Sequence, residues 1–339
     1  MSNNETNILN NPQSTQSEPS QDTDTVLEVS DLAKTFSVGH GFKRTEVKAL
    51  RDVSFSLKKG RALALVGESG SGKSTVARVI MKMYEASAGD VKYAGESILG
   101  KKSAAQMRAY RSAVQMVFQD PFGSLNPAHN IYHHIARPLL THGHVTDKTQ
   151  LQAAVFDILS QVELDPKATA YKYPHELSGG QRQRVALART LAVAAKVVLA
   201  DEPTSMLDVS IRIDVLNLLK RMKDDNGIAF LYITHDIATA RYFAEDIAVM
   251  YQGQIIEWGR CGDVIDNPQH PYTKLLLSAV PDAGVRFDEI NPQQAYYLEN
   301  AQTIRDVSGE SSTAIQRVAD NHFIRVQDFS ILNSPSATA

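Results

Sequence analysis

The feature that most constrains the fold of this 339-residue chain is a glycine-rich segment at residues 67–75. It fits the pattern G-x-x-x-x-G-K-[ST], follows the apolar run 63–66 and precedes residues with helical periodicity. A strand, a loop and a helix in that order bring backbone N–H groups and a helix N-terminus to one point, where they attract phosphate. The sequence therefore predicts a nucleotide site, formed by Gly67, Glu68, Ser69, Gly70, Ser71, Gly72, Lys73, Ser74 and Thr75.

Two side chains of this loop have predicted roles of their own. Lys73 should reach the β- and γ-phosphates, and the hydroxyl of Ser74 should ligate Mg²⁺. The alternative is a chance glycine-rich turn. The strand and the helix that flank the loop argue against that alternative, so we expect a bound nucleotide with its magnesium ion.

An acidic pair follows a second apolar run, residues 197–200. The end of a buried parallel strand delivers its side chains to the ligand crevice. Asp201 is placed to hold Mg²⁺, directly or through water, and Glu202 is placed to accept a proton from the attacking water. Such a pair is commonly a solvated turn when it stands alone, but downstream of a phosphate loop it predicts nucleotide hydrolysis.

Short apolar runs recur along the chain, and they suit strands buried on both faces of a parallel sheet. Segments with helical periodicity fall between these runs. The alternation predicts a doubly wound α/β core. The runs are residues 63–66, 114–118, 197–200 and 230–233, and the helix face expected after the loop carries Val76, Val79, Ile80 and Met83.

Three regions depart from this alternation. From about residue 121 to 189 the chain is mostly helical, with candidate helices at 130–140 and 148–162, which predicts an inserted helical lobe. Residues 1–25 are rich in Asn, Gln, Ser and Thr without an apolar core, and we predict a disordered tail. Beyond residue 283 the periodicity is weak, so a small appended unit and partial disorder both stay open.

Composition excludes several classes of protein. The net charge of −3 gives no basic field that would attract nucleic acid or an anionic membrane. No run approaches about 18 uncharged apolar residues, so no membrane span is expected. A single cysteine, Cys261, rules out intramolecular disulfides and suits a reducing cytosol.

The most specific motif is Leu177-Ser178-Gly179-Gly180-Gln181. Ser178 and the two glycines open a helix that begins near Gln181, so free N–H groups and the helix dipole face outward. An ordinary helix N-cap has the same local chemistry. Together with the phosphate loop and the acidic pair, however, this pentapeptide makes residues 26–260 resemble the ATP-binding cassette (ABC) ATPases.

The resemblance implies ATP and Mg²⁺ as ligands and a P-loop NTPase core with an antiparallel β subdomain. It implies an ATPase domain at residues 26–265, with its helical subdomain at about 120–190. In this family Ser178, Gly179, Gly180 and Gln181 contact ATP that is bound to the opposite subunit of a dimer.

The resemblance also assigns four further site residues. Gln119 matches the glutamine that senses Mg²⁺ and couples to the membrane domain, and His235 matches the histidine that contacts the γ-phosphate. Asp208 matches the acid of the D-loop, where Met206 stands in place of the commoner alanine. Phe36 sits where an aromatic ring stacks on adenine, although a lone aromatic near a strand is also a common core residue.

Two further stretches resemble the oligopeptide/dipeptide importers within this family. One comprises residues 118–121 with 124–127, and the other is residues 267–274, Asn-Pro-Gln-His-Pro-Tyr-Thr-Lys, followed by an apolar segment to residue 281. They imply that residues 266–339 are a C-terminal extension. Some members of this branch bind an iron–sulfur cluster through several cysteines, which Cys261 alone does not provide.

The resemblance thus implies an ATP-hydrolysing subunit of a peptide importer at the cytoplasmic face of the inner membrane. Its implied partners are a second ATPase subunit, two membrane-spanning permease subunits and, indirectly, an extracytoplasmic substrate-binding protein. A paralogous heterodimer is favoured, and a homodimer stays open. Two alternatives also stay open: the same architecture importing oligosaccharides or a metal complex, and a soluble ABC ATPase of DNA repair or translation.

Overall fold

The computed structural model describes residues 24–39, 45–279 and 292–332, so most of the predicted tail at 1–25 lies outside the described residues. Within these ranges the chain forms two β-sheets. The strands are β1 (Thr25–Val38), β2 (Thr45–Lys58), β3 (Ala62–Val66), β4 (Ala88–Tyr93), β5 (Glu96–Ser97), β6 (Val114–Val117), β7 (Val197–Asp201), β8 (Ala229–Thr234), β9 (Asp246–Tyr251), β10 (Gln254–Arg260), β11 (Ile315–Ala319) and β12 (His322–Arg325).

The larger sheet is the predicted parallel core with an antiparallel edge. In the described part of the chain its strand order is β11-β12-β10-β9-β3-β8-β7-β6, and β9, β3, β8, β7 and β6 run parallel. The smaller sheet, β2-β1-β4-β5, is antiparallel. The four predicted apolar runs are confirmed as β3, β6, β7 and β8, and the predicted core with an antiparallel β subdomain is confirmed with them.

Both faces of the core sheet are buried, as its continuous apolar strands require. Successive side chains of a strand point to opposite faces, and those of β3 divide accordingly. Ala62, Ala64 and Val66 pack into a cluster with the helical segment, whereas Leu63 and Leu65 pack with the antiparallel sheet. One face of the sheet therefore packs with the helical segment and the other with the antiparallel sheet.

The predicted helices at 130–140 and 148–162 are confirmed within one residue of their predicted bounds. A short 3₁₀ turn, Pro174–Glu176, precedes the Ser178 motif. The helices are α1 (Lys73–Ile80), α2 (Ala104–Ala113), α3 (Pro121–Ser124), α4 (Ile131–Thr141), α5 (Lys148–Gln161), α6 (Pro166–Thr169), α7 (Gly179–Ala192), α8 (Val209–Asn226), α9 (Ile237–Phe243), α10 (Cys261–Asp266), α11 (Pro271–Ser278), α12 (Pro292–Glu299) and α13 (Ala301–Ser308).

The expectation that Met83 shares the buried face of α1 is wrong. The helix ends at Ile80, and Met83 is 55% exposed. The N–H of Met83 donates to the carbonyl of Arg78, and Lys82 adopts the left-handed region with φ of 55°. This bond across five residues closes the last turn of the helix, so helical spacing no longer determines where Met83 points.

The described part of the C-terminal segment joins the core sheet. β12 pairs with β10 in antiparallel register, and β11 pairs with β12. α11 packs against α12 and α13. Through β12, residues beyond 266 belong to the core sheet. The predicted domain boundary at residue 266 stays a prediction. Within the described ranges, no helix has both the length and the apolar character needed to cross a membrane.

Candidate nucleotide site

The phosphate loop lies between β3 and α1, at the carboxyl end of the central strand, as the motif predicts. Two of its glycines are required by close packing. Gly67 has φ of 152°, and a Cβ there would lie 2.1 Å from the Met250 carbonyl oxygen. Gly72 has φ of 106°, and a Cβ there would lie 2.7 Å from the Ala49 carbonyl oxygen. Any side chain at either position would displace the loop.

Lys73 is bonded to its own loop. Its Nζ donates to the carbonyl oxygens of Gly67 and Glu68, both at 2.8 Å, and lies 3.4 Å from Ser71 Oγ. The side chain is buried, and this burial lowers the pKa of its ammonium group against the opposing effect of nearby carboxylates, chiefly Glu202. The ammonium group is therefore aimed into the loop, where phosphate oxygens would replace the carbonyl acceptors.

The remaining loop residues differ in exposure. Ser69 and Gly70 are exposed at the tip, and a Cβ on Gly70 would meet nothing within 4 Å. Thr75 is half-buried in the first turn of α1. Glu68 is half-buried too, and its carboxylate pairs with Arg305 of α13, 237 residues further along the chain. No pattern in the sequence indicates that pair.

Ser74 and Asp201 come together beside the loop. Ser74 Oγ donates to Asp201 Oδ1 at 2.9 Å. Burial raises the pKa of the Asp201 carboxyl, although the hydrogen bond from Ser74 opposes that shift. The Ser74 hydroxyl and the Asp201 carboxylate are oxygen donors of the kind that Mg²⁺ prefers. Gln119, the third predicted ligand, contacts Glu202 rather than either of them. The described residues contain no group of three His, Cys, Asp or Glu side chains placed to hold a metal.

Glu202 is the centre of the second half of the site. Gln119 Nε2 donates to Glu202 Oε2 at 3.1 Å, and His235 Nδ1 lies 3.0 Å from Glu202 Oε1. The Glu202 side chain is 18% exposed and that of His235 is 61% exposed. The structure therefore brings the predicted base Glu202, the predicted γ-phosphate histidine His235 and the predicted glutamine Gln119 into one partly exposed contact group.

The backbone of Glu202 has a conformation that the sequence does not reveal. Its φ is 48°, in the left-handed region that residues other than glycine seldom adopt. The Glu202 N–H is bonded to the carbonyl of Ile233 at 2.9 Å, which fixes the turn after β7. Backbone held in this way is found at functional sites, where it sets the direction of a reactive side chain.

Phe36, the predicted adenine-stacking residue, lies on β1 and is half-buried. Its ring meets Tyr84 edge to face at 5.1 Å between centroids, and Lys34 Nζ lies 4.9 Å from its ring centre. These contacts fix the ring, and stacking of this ring on adenine stays a prediction.

The Ser178 motif forms the N-terminus of α7, with bonds that are local. Ser178 Oγ accepts from the Gln181 N–H, and Gln181 Oε1 accepts from the Ser178 N–H, which is a reciprocal capping box. Ser178 is exposed. A Cβ on Gly180 would lie 2.5 Å from the Ile211 side chain, and one on Gly179 would lie 3.6 Å from Leu207. Gly180 thus lets α7 pack closely against the start of α8, whereas a side chain at Gly179 would make only an ordinary contact.

The predicted D-loop is the most exposed apolar part of this region. Asp208 is the N-cap of α8 and is exposed. Met206 is 59% exposed and Val209 is 73% exposed. Apolar side chains beside an exposed helix N-terminus are typical of a surface that another subunit covers.

Two protein families match this chain. The family described as ABC transporter matches residues 50–205. The family described as oligopeptide/dipeptide transporter, C-terminal region, matches residues 256–303. The first match includes the phosphate loop, Gln119, the Ser178 motif and the acidic pair, and the second begins in β10 and ends in α13.

Two curated proteins illustrate its relatives. The chain is 39% identical over 302 residues to the oligopeptide transport ATP-binding protein OppF of Bacillus subtilis. This match covers 89% of this chain and 96% of OppF. It is 42% identical over 306 residues to the glutathione import ATP-binding protein GsiA of Pectobacterium atrosepticum. That second match covers 88% of this chain but spans only 48% of GsiA.

Two solved structures share the fold. One is the dimeric post-hydrolysis state of the ATP-binding cassette MJ0796 bound to ADP and Pi, with a TM-score of 0.62 and 28% identity over 69% of this chain and 98% of that one. The other is cbiO1 from Clostridium perfringens, part of the transporter complex cbiONQ, with a TM-score of 0.62 and 26% identity. It covers 75% of this chain and 95% of cbiO1.

Proposed function

Because this chain belongs to the ATP-binding proteins of ABC transporters, in the oligopeptide/dipeptide transporter branch, we propose that it hydrolyses ATP to power the uptake of peptides. The contact group of Gln119, Glu202 and His235 beside the phosphate loop carries this proposal. It places a carboxylate base next to a phosphate site, which is the arrangement that attack by water on a γ-phosphate needs.

The phosphate loop performs the binding step. Successive loop N–H groups and the N-terminus of α1 bind the phosphates, and Lys73 exchanges its loop carbonyl acceptors for phosphate oxygens. Ser74, Asp201 and Gln119 would hold Mg²⁺, which when bound neutralises negative charge on the phosphates. Phe36 contributes a ring face for adenine.

Glu202 performs the proton transfer. Its carboxylate accepts a proton from the attacking water, and Gln119 and His235 hold that carboxylate from its two oxygens. The left-handed backbone at Glu202 keeps the side chain aimed at the loop rather than along β7. His235 is more exposed than Glu202, so it is placed to contact a γ-phosphate that arrives from solvent.

The complete site requires a second subunit. Residues 178–181 form the N-terminus of α7, where Ser178 is exposed, and the exposed Asp208 lies on the adjacent D-loop. In a head-to-tail dimer these groups clamp ATP that is held by the partner's phosphate loop. The exposed Met206 and Val209 supply apolar area for such an interface. We favour a paralogous ATPase as the partner, with a homodimer as the alternative.

In the proposed transporter, this chain lies at the cytoplasmic face of the cell membrane and binds two permease subunits. Phe118 is 38% exposed beside Gln119, so this segment offers an apolar contact that is linked to the site through Glu202. Closure of the ATPase dimer would then move the permease helices. An extracytoplasmic binding protein would deliver the cargo, for which the OppF and GsiA relatives favour peptides.

Reconstitution tests this proposal. The chain is assembled in liposomes with its partner ATPase, the permease subunits and the binding protein, and uptake of labelled di-, tri- and pentapeptides is measured with and without ATP. Peptide uptake that requires ATP supports the proposal. Uptake of an oligosaccharide or a metal complex in place of peptides would change the cargo, and absence of ATP hydrolysis would refute the enzymatic role.

A further inference from the structure

The segment His270-Pro271-Tyr272 is anchored by a buried carboxylate. Glu257 of β10 is fully buried and accepts the N–H of Gln269 at 2.7 Å and that of His270 at 3.0 Å. His322 of β12 contacts the same carboxylate through Nε2 at 2.7 Å. One side chain of the core sheet thus ties the start of α11 to the C-terminal hairpin.

The anchored histidine in turn sets the position of Tyr272. His270 Nδ1 accepts the N–H of Tyr272 at 3.1 Å and so caps α11. Tyr272 is fully buried and lies 4.3 Å from Tyr251 between ring centroids. Its hydroxyl lies next to the backbone of Glu68 in the phosphate loop, although no hydrogen bond of ordinary geometry forms there.

Helix α13, which packs on α11, reaches the side chain of the same loop residue. Arg305 donates to Glu68 Oε1 through Nη2 at 2.8 Å and through Nε at 3.2 Å. Each side chain is 37% exposed, so water screens the pair only in part. The hydrogen bond that Arg305 donates to Glu68 raises the pKa of the Arg305 guanidinium, which stays charged.

A second path links the end of α13 to the loop. Arg51 donates to the carbonyl of Gly309 at 2.9 Å and to Gln252 Oε1 at 3.3 Å. A Cβ on Gly309 would lie 2.6 Å from Gln252 Oε1, so these residues are in close contact. The next residue, Gly253, donates its N–H to the Ser71 carbonyl of the loop at 2.8 Å.

We propose that the C-terminal segment is a working part of the nucleotide site, in which Arg305 is a positioning residue that acts on the phosphate loop through Glu68. This inference rests on the proposed ATP function. With Arg305 in place, the Glu68 carboxylate is neutralised and held away from the incoming phosphates. Without it, the loop presents an unpaired negative charge to a highly charged ligand, and nucleotide binding weakens.

A double-mutant cycle on the full chain tests this inference. Affinity for a fluorescent ATP analogue is measured for wild type, Arg305→Gln, Glu68→Gln and the double variant, with melting temperatures as a check of folding. Arg305→Gln should weaken binding about two- to fivefold, the range expected for a partly exposed charge pair. In the Glu68→Gln background the same change should alter affinity by less than about twofold, because its target is gone.

Two further variants sharpen the result. Arg305→Lys keeps the charge but loses the forked donor, so its affinity should lie between those of wild type and Arg305→Gln. Arg317→Gln removes an exposed arginine that pairs with Asp320 in the same C-terminal segment, and it should bind as wild type does. In ATP hydrolysis, Arg305→Gln should raise KM by the same factor as it weakens binding and leave kcat unchanged.

Provided that wild type binds nucleotide, three outcomes would overturn the inference. Arg305→Gln binds as tightly as wild type, or the losses of affinity from Arg305→Gln and Glu68→Gln add up in the double variant. The third outcome is an equal loss of affinity in Arg317→Gln and Arg305→Gln. If Arg305→Gln is unfolded, Glu68→Gln decides: it removes the negative charge that Arg305 neutralises, so it should bind nucleotide at least as tightly as wild type, and weaker binding contradicts the inference. Wild type that does not bind ATP would instead refute the proposed function.

Discussion

The two halves of the candidate site are built in opposite ways. Beside the phosphate loop, hydrogen bonds join residues far apart in the chain: Ser74 to Asp201 across 127 positions and Gln119 to Glu202 across 83. At the Ser178 motif the capping bonds span three positions. The first half is assembled by the tertiary fold, whereas the second half is a helix end whose capping bonds are all local.

This difference suggests that the two halves of the site contribute differently to nucleotide binding and hydrolysis. The phosphate-loop half is assembled once the chain has folded, so under the proposed function nucleotide binding should require only one subunit. Under the proposed function, the N-terminus of α7 with its exposed Ser178 acts instead on ATP that another subunit brings. Substitutions in each half should therefore affect ATP binding and ATP hydrolysis to different extents.

The largest effect is expected from Glu202→Gln. The amide keeps the shape of the side chain but accepts no proton, so hydrolysis should fall about 10²- to 10⁴-fold. ATP binding should stay within about twofold of wild type, because the phosphate loop is unchanged. Sedimentation in ATP should show a closed dimer that accumulates. The exposed Glu96→Gln serves as the matched control, and hydrolysis at the wild-type rate would disprove the role of Glu202 as the base.

Ser178→Arg should give a slightly smaller loss that appears only in the assembled dimer. The arginine blocks the exposed N-terminus of α7, and hydrolysis should fall about 10²-fold or more, since a donor set for the γ-phosphate is lost. Nucleotide binding by the isolated chain should match wild type, as measured by fluorescence titration.

The control for that variant is Ser178→Ala, which removes the cap at a cost of about 1 kcal/mol of helix stability but leaves the surface open. Its hydrolysis should exceed that of Ser178→Arg. Weakened nucleotide binding by the isolated Ser178→Arg chain would mean that the two halves of the site are not independent.

The smallest effect concerns stability and follows from the buried Asp201. Burial raises the pKa of Asp201 in the folded protein. Protonated Asp201 therefore contributes stability that is fully present below the pKa of the unfolded chain. That contribution is lost as pH rises through the pKa of the folded protein. At neutral pH and without divalent cations, Asp201→Asn should therefore raise the free energy of unfolding, by about 1 kcal/mol. The gain should vanish in acid, where both side chains are neutral.

Urea denaturation of both proteins at several pH values measures this difference. Mg²⁺ with ATP should stabilise wild type more than Asp201→Asn, since the carboxylate is a proposed ligand of the ion. The exposed Asp214→Asn is the control and should show neither effect. A less stable Asp201→Asn at neutral pH would contradict the view that the buried charge costs stability.

Sequence reasoning worked where local chemistry decides structure. The phosphate loop, the buried strands, the helices of the lobe and the cap at Ser178 follow from residue types and spacing over a few positions, and the structure has all of them. It went wrong at Met83, where a closing turn overrides helical periodicity. It left the region beyond residue 283 open, because β11 and β12 become strands by pairing with an edge of the core sheet.

By itself, then, the sequence determined the fold class, the phosphate loop and the helix start at Ser178, because each depends on short-range periodicity, glycine conformation and helix capping. Only the tertiary structure decided which polar groups meet: His235 and Gln119 on Glu202, and Arg305 on Glu68. Such pairs join residues that strand order and packing bring together, and the spacing of these residues along the chain does not predict them. The left-handed turn at Glu202 belongs with them, since a backbone bond to a neighbouring strand holds it.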